Sequence, residues 1–477
     1  MPSHVPGTSE RAGHHLTDPA PGAGARTGAH AGPGVVPPAR LLPVHLEDEP
    51  QPAFLEQLEH LRRLSGDLVR WMEPVPIARA VGTSASAVVL PDLSGLAYRA
   101  LEHFRAIEVP LLIVTSEFGT VSMWDWEIRD YLRRRGVPTT APTSLQEFHD
   151  VVRALSVKER LAGASMLAYQ DDLGAGQQPD IFKRFYWWEE ECVHDLRERL
   201  GVQVQRRSYR ELVARAGAVP QARVDAEAAR LEGDVPIHGL SARARGDALR
   251  IKLALSDELD ETPGVIAAGI NCLNESRTSS TTPCLAWNLL FEERGLIWGC
   301  EADLTSMVTK FLTWESLRTP VMMTNLYPFL MGGAALKHER IPYFPAVEEP
   351  HNHVLAAHCG FFGIVPRSWA TQWSVRPRVL EIVDENAHAL DARFPTGDIT
   401  IVKIDSTMRT LTATPAELPG YEQYEDSDCL NGAVLRVQDG YRFVEKLPSH
   451  HAVLAVGDVV RRLEVVSPLL GVSLERI

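Results

Sequence analysis

Apolar residues fall on one helical face through residues 53–72, where Phe54, Leu55, Leu58, Leu61, Leu64, Leu68 and Trp71 align at a spacing of three to four. This spacing predicts an amphipathic helix, ended by Glu73-Pro74-Val75-Pro76. The pattern then changes. AVVLP (87–91) and PLLIVT (110–115) are short, unbroken apolar runs of the kind carried by strands buried on both faces. The second run leads through a loop into a helix stopped at Gly136. ASMLAYQ (164–170), a helix over 184–200 stopped at Gly201, and VQVQRRS (202–208) make a βαβ unit. Residues 209–257 read as charged helices with solvated faces.

Three further apolar strands are expected at GVIAAGINCL (264–273), GLIWGC (295–300) and PVMMTN (320–325), separated by helices over 284–293 and 304–317. Beyond residue 326 Pro, Gly and aromatic residues increase, and DITIVKI (398–404), GAVLRV (432–437) and AVLAVG (452–457) are strand-like. The fold class is therefore α/β. A Gly/Pro-rich tail over 1–50, expected to be disordered, precedes two Rossmann-like α/β domains over 51–157 and 158–325 and a β-rich domain over 326–477.

Composition changes this picture little. A chain of 477 residues suggests two or three cores, and 45% apolar with 23% charged residues is ordinary for a folded protein. A net charge of −14 argues against nucleic acid and anionic membranes as partners. The six cysteines (192, 272, 284, 300, 359 and 429) include no CxxC pair and read as buried thiols rather than a zinc cluster. No membrane-spanning apolar run and no signal-peptide-type segment is evident, so a cytoplasmic location is the expectation. GxGxxG, P-loop, GxSxG and HExxH motifs are absent, which leaves a pyridine-nucleotide oxidoreductase resting on α/β texture alone.

Candidate chemistry gathers at the ends of the late strands, where open parallel sheets bind ligands. Glu301 directly follows GLIWGC and reads either as a metal ligand or base, or as part of a helix start in which Asp303 caps. His353 and His358 are five apart, and His450 and His451 point to opposite sides of an extended chain. Asn274 and Arg277 occupy a Ser/Thr-rich loop after a strand. Arg277 would there meet a substrate phosphate or carboxylate, or else solvent. Trp187, Trp188, Trp369 and Trp373 could stack on a sugar face but suit a core or subunit interface better.

In order and spacing these segments resemble the L-fucose isomerase family and, more distantly, L-arabinose isomerase. The match runs from GVIAAGINCL through TPCLAWNLLFEERGLIWGCEADLTSMVTKFL, then AHCGFFG, to PSHHAVLAVGDVVRRLEVVSPLLGV, covering about residues 264–477. The resemblance implies a barrel-like C-terminal domain, a divalent ion (Mn²⁺ above all), a homo-oligomer, and aldose–ketose interconversion through an enediol. It makes Glu301 ligand and acid/base, and His358 and His451 ligands, with His450, Asn274 and Arg277 toward the sugar. The family's second acidic ligand falls at Asn325, an amide that can ligate but brings no charge and no basicity. Asp303 would replace it only if turned inward. The chain is thus expected to be a diverged member acting on an open-chain sugar or sugar derivative, or a non-catalytic sugar-binding protein on the same fold.

Overall fold

The computed structural model describes residues 37–114, 123–171, 188–231, 237, 240–272, 278–328, 346–358, 361–377, 386–424, 427 and 430–477. Residues 1–36, Trp187, Asn274, Arg277, Cys359 and Cys429 lie outside them.

The first apolar strand comes earlier than the composition of the tail suggests. Residues 39–45 form β1 (Ala39–His45), with Leu41 and Val44 wholly buried, so the tail expected through residue 50 stops short of it. Local apolar content outweighs the surrounding Gly and Pro. Pro43 falls where one neighbour of β1 changes from β2 (Val69–Trp71) to β3 (Val75–Pro76), a break in the ladder that tolerates a missing N–H. The helix expected over 53–72 is likewise divided. Helix α1 (Pro52–Ser65) ends at Gly66, whose φ of 49° a side chain disfavours, and Val69–Trp71 then pair with Ala39–Leu41. The pairing overrides helical periodicity in the last turn.

Strands β4 (Ala87–Leu90), β5 (Leu111–Ile113) and β6 (Thr139–Thr140) complete a parallel sheet in the order β2-β1-β4-β5-β6. Helix α2 (Leu145–Leu161) follows, capped by Ser144 accepting from Glu147 N–H. A second parallel sheet has the order β10-β9-β7-β8, from β7 (Ser165–Tyr169), β8 (Gln203–Arg207), β9 (Val265–Ile270) and β10 (Ile297–Cys300). Numbered within each sheet, and leaving out the short β3, both begin 2-1-3-4. This order places ligand crevices beyond the carboxyl ends of the strands. Helices α3 (Ala242–Glu261), α4 (Cys284–Arg294) and α5 (Leu304–Leu317) belong to this sheet.

PVMMTN, expected as the last strand of the second α/β domain, instead opens an antiparallel barrel. Strand β11 (Val321–Pro328) pairs with β12 (His353–Ala357) and β18 (His451–Val456). An unbroken apolar run suits a strand buried on both faces in either sheet type, so sequence alone could not choose. The hairpin β13 (Gln372–Pro377) and β14 (His388–Arg393) lies outside the barrel. With β15 (Gly397–Ile404), β16 (Thr410–Glu422) and β17 (Gly432–Val437) the circuit β15-β18-β11-β12-β17-β16 closes on itself, all antiparallel. Strand β19 (Ser473–Arg476) adds in parallel to β16. Period-two alternation sorts the residues: Met322, Leu326, Leu454, Ile399 and Ile401 join one core cluster. Val321, Met323, Val453 and Ala455 join the larger cluster shared with the second sheet.

Helix α5 is the joint. It packs on β9 and β10 of the parallel sheet and on β11, β15 and β18 of the barrel. Gly269 and Gly299, register partners in β9 and β10, permit the approach. A Cβ on Gly299 would stand 2.4 Å from Met307 Cγ, and one on Gly269 would stand 2.8 Å from Ala302 Cα. Among the described residues no helix is long and apolar enough to cross a membrane.

Helix α6 (Val460–Leu470) packs on α2 and ties the chain's end to the first sheet. Arg462 clasps the fully buried Asp150 with two bonds of 2.7 and 2.8 Å and donates to Leu317 O at 2.6 Å. Arg462→Ala leaves that carboxylate with Gln146 Nε2 at 2.9 Å and, as its one remaining cation among the described residues, Arg153 at 3.6 Å. A loss of about 3 kcal/mol in stability is expected by chemical denaturation.

Candidate metal centre

The end of β10 carries unusual backbone. Glu301 and Ala302 have φ of 56° and 57°, two successive left-handed residues that are not glycine. Each costs about 1–2 kcal/mol, so the surroundings must enforce the turn. Ala302 N–H donates to Gly299 O and Asp303 N–H to Cys300 O, while the buried Trp188 Nε1 donates to Ala302 O at 2.9 Å. The turn directs Glu301 into the gap between the sheet's carboxyl end and the barrel.

From the barrel come two imidazoles. His451 begins β18 and is the register partner of Asn325 on β11, so both project from one wall of the barrel. Their alternation matches Met323 and Val453, which face α5 and the sheet. His358 follows β12 in a tight turn closed by reciprocal bonds with Phe361. Glu301 Oε1 lies 3.8 Å from His358 Nε2, and Glu301 Oε2 lies 3.8 Å from His451 Nε2. One ligand atom from each of the three lies within 4.8 Å of the other two, and all three residues are buried.

This group can hold a metal ion. Donors bound at about 2.1 Å to one ion stand about 3–3.5 Å apart, so the observed spacing needs only a small contraction. His358 Nε2 and the neighbouring Asn325 Oδ1 are buried without a hydrogen-bond partner among the described residues. Such orphaned acceptors are costly unless a ligand satisfies them. Burial above all, with smaller contributions from the neighbouring His451 and Lys310, pushes the His358 imidazole down to about 3, which favours the neutral ligand form.

Asp303 holds His451 in place. Its Oδ1 caps α5 by accepting from Ser306 N–H at 2.7 Å, and its Oδ2 accepts from His451 Nδ1 at 2.8 Å. The Lys403 ammonium approaches Oδ2 at 3.3 Å and donates to Ser306 Oγ at 2.6 Å. Burial opposes the charge on Asp303, but Lys403 and the bonds from His451 and Ser306 outweigh it and hold the carboxyl well below its usual range. An ionised carboxylate can only accept, so Nδ1 carries a proton and Nε2 is the nitrogen turned toward Glu301. Asp303 therefore both caps the helix and orients His451. Asp303→Asn keeps the cap but strands a buried ammonium, and should cost about 3 kcal/mol in chemical denaturation, most of it recovered in Asp303→Asn/Lys403→Met.

The remaining candidates fall around this centre. The His450 ring lies 4.4 Å from that of His451, half-buried, with burial again pushing it down to about 3. His353 is buried and bonded to Glu349 O, away from the centre. Trp369 packs against Phe291 and Trp314, and Trp373 donates to Val365 O, so both serve the core. Cys284 and Cys300 are buried free thiols and Cys272 is partly buried. Burial pushes Cys284 up to about 12, and no cysteine joins the metal group among the described residues.

The sequence reading passed over Lys403 and His388. An ammonium in a strand-like run gave no signal of a partner a hundred residues away. His388, on β14, accepts from Leu285 N–H at the start of α4 and bonds Thr281 Oγ1, anchoring the end of the Ser/Thr-rich loop. Burial pushes its imidazole down to about 4, below the roughly 6.5 of an unfolded chain. Between those values the unfolded state binds a proton that the folded state refuses, so stability falls as pH falls from 6.5 toward 4. His388 should account for about 2 kcal/mol of stability lost between pH 7 and pH 5, a loss reduced in His388→Gln by urea denaturation.

Compared with known proteins, the sequence matches no family model and no curated protein.

Proposed function

We propose that this chain is a metal-dependent enzyme of the sugar-isomerase kind, acting on an open-chain sugar or sugar derivative through an enediol-type intermediate, with Mn²⁺ as its ion. The observation that carries this reading is the buried convergence of Glu301, His358 and His451 from segments 57 or more residues apart in sequence. The two parallel sheets followed by an antiparallel barrel are compatible with two Rossmann-like domains and the C-terminal domain of L-fucose isomerase-like proteins. A cytoplasmic homo-oligomer is part of the same reading.

Glu301, His358 and His451 would hold the ion, with Asn325 beside them as a polar contact or weak ligand. A divalent ion there supplies polarisation of a carbonyl and acidification of the neighbouring C–H. Glu301 is the group placed to hold or move a proton at the reacting carbons. His451, fixed by Asp303, keeps its Nε2 aimed inward, while the buried walls exclude water from a reactive intermediate. Asn325 cannot serve as a base, and Asp303 is committed to His451 and Lys403. That leaves Glu301 as the one carboxylate of the centre available for acid/base work among the described residues and supports a reaction diverged from ordinary two-carboxylate isomerisation. The same feature favours, as a second reading, a sugar-binding protein without turnover.

Calorimetric titration with Mn²⁺ tests the centre. Wild type should bind one ion per chain, and Glu301→Gln and His451→Ala should each weaken binding at least tenfold. Turnover of an aldose or ketose panel should be metal-dependent and lost in Glu301→Gln. Absence of Mn²⁺ binding, with Glu301→Gln indistinguishable from wild type, would overturn the reading; sugar binding without turnover would select the second one.

A further inference from the structure

The charge of the donor set bears on the substrate. Glu301 is the one anionic side chain in the group; His358 and His451 must be neutral to ligate, and Asn325 is an amide. The nearest other buried carboxylate, Asp303, is matched by Lys403 at 3.3 Å. A second buried lysine, Lys310 on α5, donates to Trp298 O at 3.0 Å and lies over the Trp298 ring; a lysine supplies no negative charge to the ion. A divalent ion in this group would therefore keep a net positive charge in a buried setting, where an uncompensated charge is expensive.

The acceptor left open points the same way. Asn325 Nδ2 is turned toward Tyr327 Oη at 3.5 Å, and Oδ1 has no hydrogen-bond partner among the described residues. That oxygen suits a donor such as a substrate hydroxyl. A carboxylate with a hydroxyl on the adjacent carbon meets both needs, one group bringing the negative charge and the other the proton donor.

Resting on the metal-centre reading, we infer that the site selects an anionic substrate: an open-chain sugar acid whose carboxylate and neighbouring hydroxyl engage the ion and Asn325. The protein withholds a second acidic ligand, and the substrate provides it. A neutral aldose lacks that charge and binds more weakly at the same centre.

The test uses the full chain and paired probes that differ in the carboxylate: D-gluconate against D-glucitol, and glycerate against glycerol. Mn²⁺ binding to wild type is measured first, then binding of each probe to the Mn²⁺-saturated protein by calorimetry. At least one acid should bind roughly tenfold or more tightly than its neutral partner. Asn325→Asp, which adds the missing charge on a half-buried strand position, should tighten Mn²⁺ binding and remove most of the acid's advantage. Equal binding of acid and polyol, binding of neither acid, or an advantage unchanged in Asn325→Asp would overturn the inference while the metal centre stands. Failure of wild type to bind Mn²⁺ would overturn both.

Discussion

The carboxylate of Asp303 is held at once by a helix end, an imidazole and a buried ammonium, and the centre depends on that sharing. Its Oδ1 satisfies Ser306 N–H at the start of α5, while its Oδ2 takes the His451 Nδ1 proton and faces Lys403. These partners come from the second sheet's helix, β18 and β15. A charge this deeply buried persists only with such partners, and the partners in turn are positioned by it. The parallel sheet and the barrel are thereby locked at the one place where Glu301 and His451 must meet.

Backbone strain works toward the same end. Two left-handed residues, Glu301 and Ala302, are tolerated because Gly269 and Gly299 let the turn and α5 settle on the sheet, and because Trp188 holds Ala302 O. Relaxing the turn would swing Glu301 out of the gap. The cost of the strained turn is thus linked to the position of a single carboxylate, which is the pattern expected where geometry matters for chemistry rather than for folding.

Much of the architecture was legible as alternation and run length. The strands at 87–91, 110–115, 164–170, 202–208, 264–273 and 295–300 and the helices at 284–293 and 304–317 follow from apolar runs, periodicity and glycine stops. What misled was context. Residues 39–45 sit in Gly/Pro-rich sequence yet form a central strand, because pairing with β2 and β4 rewards a short apolar run that composition averages away. Residues 69–71 continue a helical stripe but join a sheet, because Gly66 breaks the helix first.

By itself the sequence determined which residues were chemically able to form the centre: a carboxylate at a strand end, histidines beside strands, and an amide, Asn325, that offers no charge. It also determined the pieces of fold, since hydrophobic period is a local property. Only the tertiary structure decided that β11 belongs to the barrel, that Asp303 is bonded to His451 and Lys403, and that Lys403 and His388 matter. Those outcomes hang on contacts between residues roughly a hundred or more positions apart, and such contacts are set by how sheets and helices pack, which no window of sequence contains.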